Sequence, residues 1–138
     1  MKILAALDIS DEAGTVLEKA VALAKQQGGE LVLMSVAEDF RVYGDYLESV
    51  NVGEKLLAAA EKALKDAQSK AKSMGVDARI VAESAQSPAD SIVDYAAANG
   101  VDLIVLGHRS KTGLERFLVG SVASKVVTHA PCSVMVVR

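Results

Sequence analysis

The most informative stretch of the sequence is residues 103–123, which read LIVLGHRSKTGLERFLVGSVA. It opens on the apolar run Leu103–Leu106, passes glycines at positions 107, 113 and 120, and ends in a segment that begins with Ser121. A short, continuous apolar run is typical of a strand covered on both faces, as the strands of parallel sheets are. The stretch therefore predicts a strand, a glycine-containing loop and a helix, in that order.

Four other segments have the composition of strands. Ile3–Leu7 and Leu31–Val36 are almost continuous apolar runs, and we expect them to be central parallel strands together with Leu103–Leu106. Val134–Val137 is a similar run at the C-terminus. Asp77–Glu83 instead alternates polar and apolar residues, which predicts a strand at an edge of the sheet.

Helices are predicted between the strands, because apolar residues recur there with a period of 3.6. The third helix has a clear start, in which Ser87 can act as the N-cap and Pro88 occupies the first helical position. Glycines at 28, 75 and 100 are expected to end the first three helices.

Two further segments complete the pattern. The last helix is predicted over residues 121–128, with inward-facing Val122, Ala123, Val126 and Val127. Glu38–Gly53 is predicted to be an irregular loop at the carboxyl ends of the strands, where parallel sheets bind ligands. The order βαβαβαβαβ predicts one α/β domain over residues 1–138: a doubly wound, open, parallel five-stranded sheet with helices on both faces, which is a Rossmann-like fold.

The composition argues against several classes of partner. With a formal net charge of −3 and interleaved charges, the chain has no basic field to attract nucleic acid or an anionic membrane. No apolar run approaches the ~20 residues of a membrane span, and the N-terminus lacks the features of a signal peptide. We therefore expect a cytoplasmic protein that binds neither nucleic acid nor membrane; the single Cys132 agrees with a reducing compartment.

The glycine-containing loop has the composition of an anion site. Glycine permits close backbone approach, and Gly120-Ser121 lies where a helix N-terminus would offer N–H groups and a hydroxyl. Arg109, Lys111 and Arg116 could add charge-assisted bonds to phosphate, although on composition alone a solvated surface loop is an equal alternative. Asp8 also has two interpretations, a ligand contact at the end of strand one or a cap of the first helix.

These residues resemble the nucleotide-binding loop of the universal stress protein family, whose pattern is G-x-x-G-x9-G-[ST]. Gly107, Gly120 and Ser121 match this pattern, whereas Ser110 stands where the family has its second glycine. The likeness covers the whole chain, since its length, its element order, the Asp that closes strand one and the ending Ala130–Val137 also match. The chain is therefore similar to the ATP-binding branch of that family, with a modified glycine loop.

The resemblance implies an adenine nucleotide alpha hydrolase-like fold and a regulatory stress-response protein that binds ATP, with Mg²⁺ held by the phosphates. AMP or a cyclic nucleotide is an alternative ligand. The site residues that the resemblance implies, with their neighbours, are Ala6, Leu7, Asp8, Val36, Leu106, Gly107, His108, Arg109, Ser110, Gly113, Gly120, Ser121, Val122 and Ala123. A homodimer through the C-terminal strand Val134–Val137 and a further protein partner of unknown identity are also implied.

Two other functions stay open: a dimeric stress protein that binds no nucleotide, and a weak ATPase or autophosphorylating protein. A hydrolase of the related type would need a Gly/Ser-rich phosphate loop after strand one, where this chain has the acidic segment Asp8–Gly14. We expect no protein-ligated metal, because His108 and His129 are isolated from other ligands, and no catalytic residue, because no residue has the setting of a positioned general base. Cys132 is expected to be a buried, inert thiol.

Overall fold

Strands and helices alternate along the whole of the computed structural model, which describes residues 1–8, 13–39, 46–108 and 120–138. In chain order the elements are β1 (Lys2–Ala6), α1 (Ala13–Gln27), β2 (Glu30–Glu38), α2 (Tyr46–Ser73), β3 (Ala78–Ala85), α3 (Pro88–Ala98), β4 (Leu103–Gly107), α4 (Ser121–His129) and β5 (Ser133–Val137). None of the helices within these ranges is long and apolar enough to cross a membrane.

The five strands form one parallel sheet in the order β3-β2-β1-β4-β5. This confirms the predicted doubly wound fold, with the alternating strand β3 at one edge and β5 at the other. The chain runs outward from β1 to β3 and then returns to place β4 on the other side of β1. The boundary between β1 and β4 is therefore the switch point of the sheet, and the carboxyl ends of the strands there form the usual ligand crevice.

The two faces of the sheet have separate hydrophobic cores, because successive side chains of a strand point to opposite faces. The core of the first face, which we call the α1–α2 face, includes Ile3, Leu17, Leu33 and Leu64. The core of the second, which we call the α3–α4 face, includes Leu4, Met34, Ile92 and Val126. Strands buried on both faces explain why β1, β2 and β4 read as almost unbroken apolar runs.

Local sequence signals set most of the helix ends. The Ser87 hydroxyl accepts a 3.2 Å hydrogen bond from the backbone N–H of Asp90, so Ser87 caps α3 as predicted, with Pro88 in the first helical position. Gly28, Gly75 and Gly100 follow α1, α2 and α3 with φ values of 63°, 97° and 63°. These are left-handed conformations that glycine adopts without strain, and they confirm the predicted helix ends.

The prediction of an irregular loop up to Gly53 was wrong in its second half, because α2 begins at Tyr46. Gly53 lies inside the helix rather than before it. An interior glycine costs about 1 kcal/mol relative to alanine, which a 28-residue helix with a long packed stripe tolerates. At the other end of the predicted loop, Glu38 is the last residue of β2, and residues 40–45, including Phe40 and Tyr43, lie outside the described residues.

The C-terminal elements are less covered than predicted. In α4 only Ala123 and Val126 are buried, whereas Val122 and Val127, also predicted to face inward, are 36% and 53% exposed. These two residues lie on either side of the buried stripe, and a nine-residue helix packs along that stripe alone.

Cys132 is likewise half-buried rather than buried. Burial raises the pKa of the Cys132 thiol, and the Asp102 carboxylate adds to this increase, so the thiol stays protonated at neutral pH.

Candidate functional site

A cleft of about 210 Å³ opens at the switch point of the sheet, at the carboxyl ends of β1, β2 and β4. We call it the switch-point cleft. Its lining residues are Ala6, Leu7, Asp8, Val16, Met34, Val36, Glu38, Pro88, Ile92, Leu106, Gly107 and Val122. The strands therefore supply the floor, while α1, α3 and α4 supply residues of the walls.

Backbone hydrogen bonds shape the rim of the cleft. The N–H of Leu7 donates to the carbonyl of Met34 at 2.8 Å, which continues the β1–β2 pairing beyond the last residue of β1. The N–H of His108 donates to Val137 at 2.7 Å, and the carbonyl of His108 accepts from Gly120 at 3.0 Å. The end of β4 and the start of α4 are thus held together beside the cleft.

The first turn of α4 presents backbone donors without a side-chain cap. Gly120 is the N-cap, and among the described residues no side-chain cap hydrogen bond is made to the first N–H groups of the helix. Its φ of −59° and ψ of 157° are values that any residue can adopt, so the backbone does not require glycine here. A glycine carries no side chain that could hinder the approach of an anion to a helix N-terminus.

The polar groups of the described lining are mainly acidic. Asp8 and Glu38 bring carboxylates to the cleft, and no Lys or Arg is among the described lining residues. The remaining side chains are apolar, with Met34, Ile92 and Leu106 all less than 5% exposed. Such a cleft favours a flat apolar body with hydrogen-bond donors directed at the carboxylates.

An ion pair ties together the two helices that border the cleft. Lys125 of α4 lies 3.1 Å from the Asp90 carboxylate and 3.3 Å from the Ser87 hydroxyl, both at the start of α3. The hydrogen bond from Lys125 is the main cause of a lowered pKa at Asp90, and the positive charge of Lys125 and the Ser87 hydroxyl act in the same direction. Sequence reasoning missed this contact, because nothing local indicates that the two helix segments meet.

The structure brings seven of the predicted site residues together in the lining of the cleft: Ala6, Leu7, Asp8, Val36, Leu106, Gly107 and Val122. His108 and Gly120 lie at its rim, and Ser121 is exposed in the first turn of α4. Ala123 is different, since its side chain is 2% exposed and packs into the core of the α3–α4 face. Arg109, Ser110 and Gly113 lie outside the described residues.

Five lining residues were not among those predicted: Val16, Met34, Glu38, Pro88 and Ile92. The apolar ones were correctly expected to be strand or helix residues, but sequence alone gave no sign that they also face a ligand. Glu38 fell in the segment expected to be a loop, although it is the last residue of β2. No group of three or more His, Cys, Asp or Glu side chains suited to a metal ion occurs among the described residues.

The fold and the cleft define a doubly wound α/β domain with a ligand crevice at its switch point. The chain matches the model of the universal stress protein family over residues 1–138, and it belongs to that family. It is 33% identical to universal stress protein YxiE of Bacillus subtilis, in an alignment that covers 99% of this chain and 98% of the relative.

Solved structures agree with this assignment. Universal stress protein UspA from Lactobacillus plantarum superposes with a TM-score of 0.83 and 32% identity, over 100% of this chain and 97% of that one. The universal stress protein from Archaeoglobus fulgidus in complex with dAMP has a TM-score of 0.70 and 25% identity, over 100% and 98% of the two chains.

Proposed function

We propose that this protein binds ATP or a related adenine nucleotide in the switch-point cleft and acts as a regulatory stress-response protein. The observation that carries the proposal is the position of the cleft. It joins an apolar floor at the carboxyl ends of β1, β2 and β4 to the uncapped N-terminus of α4. An apolar floor suits a base, and a helix N-terminus suits a phosphate.

The base occupies the apolar part of the cleft in this proposal, beside Val36, Met34 and Ile92. A cavity of about 150 Å³ admits a benzene ring, so the 210 Å³ of the cleft suits a purine better than a whole nucleotide. The Asp8 and Glu38 carboxylates accept hydrogen bonds from ribose hydroxyls or from the amino group of adenine.

The phosphates extend out of the cleft toward Gly107 and the first turn of α4, where Gly120 and Ser121 lie. The acidic lining opposes phosphate inside the cleft, which favours this orientation over the reverse one. Arg109, Ser110 and Gly113 belong to the proposed phosphate contacts on sequence grounds alone, and any Mg²⁺ would be held by the phosphates. The dAMP bound to the Archaeoglobus fulgidus relative supports an adenine nucleotide as the ligand class.

We further propose that two chains form a homodimer by antiparallel pairing of β5, in the cytoplasm. β5 is an edge strand whose Val134, Met135 and Val136 are only half-buried. An apolar edge without charge or proline is a template for another strand unless a partner covers it. A symmetric contact between two copies satisfies that requirement.

Calorimetry with ATP and Mg²⁺ tests the site through Gly120→Val. The backbone of Gly120 accommodates valine, so the variant should fold, while the added side chain blocks approach to the first N–H groups of α4. We expect ATP affinity to fall by about tenfold or more, equivalent to about 1.4 kcal/mol of lost binding.

Gly53→Val is the matched control, because a side chain added there meets no atom within 4 Å and Gly53 does not line the cleft. Absence of binding at millimolar ATP would favour the alternative of a dimeric stress protein without nucleotide. Binding that survives unchanged in Gly120→Val would move the phosphates elsewhere. Measuring released phosphate in the same samples tests the other alternative, a weak ATPase.

A further inference from the structure

A second cavity lies on the opposite face of the sheet from the proposed nucleotide. It has a volume of about 190 Å³ and lies between the sheet, α1 and α2, so we call it the α1–α2 cavity. Its apolar walls include Leu17 of α1 with Ala63, Leu64 and Ala67 of α2. It shares only Leu7 and Asp8, just beyond the end of β1, with the switch-point cleft.

One buried polar side chain lines this cavity. Ser35 lies in β2 with 4% of its surface exposed. Among the residues that the structure describes, it is the buried one with a polar side chain. No partner for its hydroxyl occurs among the residues that the structure describes. Buried hydroxyls in native proteins are almost always hydrogen-bonded to protein, water or ligand. Because this hydroxyl has no partner among the described residues and lies at the cavity, a ligand or water molecule in the cavity would satisfy it.

The remaining lining determines the chemistry of that molecule. Asp8 and Asp66 contribute two carboxylates and Lys70 contributes one ammonium group, and Lys70 is also 3.9 Å from the Glu18 carboxylate, so the lining disfavours an anion. Apart from Ser35 and Gly14, the other lining residues are leucine and alanine, which favour an uncharged ligand. A cavity slightly larger than one that admits benzene has room for a single ring or a short chain.

We propose that the α1–α2 cavity binds a small neutral organic molecule, a single ring or short aliphatic chain with one hydroxyl or carbonyl group that pairs with Ser35. The serine hydroxyl can donate to a carbonyl or accept from a hydroxyl, so both ligand types satisfy it. This site is separate from the nucleotide site, and the proposal holds whether or not the switch-point cleft binds ATP.

Phenol and benzene are a suitable pair of probes, because they differ by one hydroxyl. Their binding to the full-length protein is measured by titration followed through the methyl NMR signals of the chain, with and without saturating ATP. We expect saturable phenol binding at millimolar concentration that shifts the methyl signals of Ala63 and Ala67, and weaker binding of benzene. Shifts confined to the methyls of Val36, Ile92 and Val122 would show that phenol enters the switch-point cleft instead, and would overturn the proposal.

Two variants test the contribution of each part of the cavity. Ser35→Ala removes the hydroxyl and should weaken phenol binding about fivefold, the value of one net hydrogen bond, without weakening benzene. Ala63→Leu fills the cavity and should abolish the binding of both probes. Ala59→Leu, on the exposed side of the same helix, is the matched control and should bind as the wild-type protein does.

The proposal fails if wild-type protein shows no saturable phenol binding, since an ordered water would then suffice for Ser35. It also fails if Ala63→Leu binds phenol as the wild type does, or if Ser35→Ala leaves phenol affinity unchanged. Ser35→Ala removes a hydroxyl that has no partner among the described residues and leaves no new cavity of consequence, so the variant should remain folded.

Discussion

The two faces of the sheet are covered to very different extents. The α1–α2 face is packed by helices of 15 and 28 residues, whereas the α3–α4 face has helices of 11 and 9 residues. The shorter helices leave Val122 and Val127 exposed. The edge strand β5 is half-buried on both faces, with Met135 against the α1–α2 core and Val134 against the α3–α4 core. The proposed nucleotide cleft and the proposed dimer edge both lie where this cover ends, because a ligand or partner needs apolar surface that the chain itself has not used.

The largest effect is expected from Leu64→Ala on the well-covered face. Leu64 of α2 is 1% exposed in the α1–α2 core, so truncation should lower the free energy of unfolding by about 2–5 kcal/mol. Val127→Ala, at a residue 53% exposed on α4, should change it by less than about 0.5 kcal/mol. Urea unfolding of both variants measures the difference. Equal losses of stability in the two variants would show that Val127 of α4 is covered in solution by a partner that a single chain does not include.

The next effect concerns β5, the edge strand where the cover of the sheet ends. Val136→Pro removes a backbone donor from β5 and strains an edge strand, so we expect the proposed dimer to dissociate. Light scattering after size exclusion should change from twice the chain mass of 14.4 kDa to the chain mass itself.

Val127→Ala serves as the control for this experiment, because it removes apolar surface from α4 without touching the strand. A wild-type monomer at micromolar concentration would contradict the dimer. A folded Val136→Pro variant that is still dimeric would place the interface on another surface.

The sequence predicted the well-covered face more completely than the functional one. The structure confirms the predictions that rest on local sequence signals. These are strand runs such as Ile3–Leu7, the cap at Ser87 and the glycines that end helices. The start of α2 was mislocated because a glycine inside a long helix has the same local sequence signal as one at its end.

Properties that depend on distant contacts were not predictable from local sequence. The position of Ser35 at a cavity is one example, because serine in an apolar strand run gives no indication of an adjacent cavity. The pairing of Lys125 with Asp90 is another, since it depends on how α3 and α4 pack together. The cleft residues Ala6, Leu7 and Leu106 were predictable as strand ends, because the strand order fixes which ends meet.

The smallest effect is expected from the link between α3 and α4. Asp90 has a pKa lowered below 3.8 in the folded chain, chiefly by its hydrogen bond with Lys125. A depressed carboxyl pKa contributes stability above the unfolded pKa, and that contribution disappears as the pH falls through the lower, folded value. The ion pair should therefore stabilise the fold slightly at neutral pH and not in strong acid. Because both side chains are largely exposed, screening keeps the effect small.

Lys125→Met keeps the length of the side chain and removes its charge, so it isolates this contribution. We expect slightly lower stability than wild type at about pH 7, and a difference that shrinks as the pH falls below the ordinary Asp pKa of 3.8 and through the lowered pKa of Asp90. Lys72→Met, at an exposed lysine of the last turn of α2, controls for the loss of a positive charge elsewhere. ATP affinity is the more informative measurement. The link joins α3 to α4, and these helices contribute Ile92 and Val122 to the wall of the cleft. A weaker affinity in Lys125→Met at neutral pH, with no change in Lys72→Met, would show that the α3–α4 link positions that wall; an unchanged affinity would restrict Lys125 to a minor role in stability.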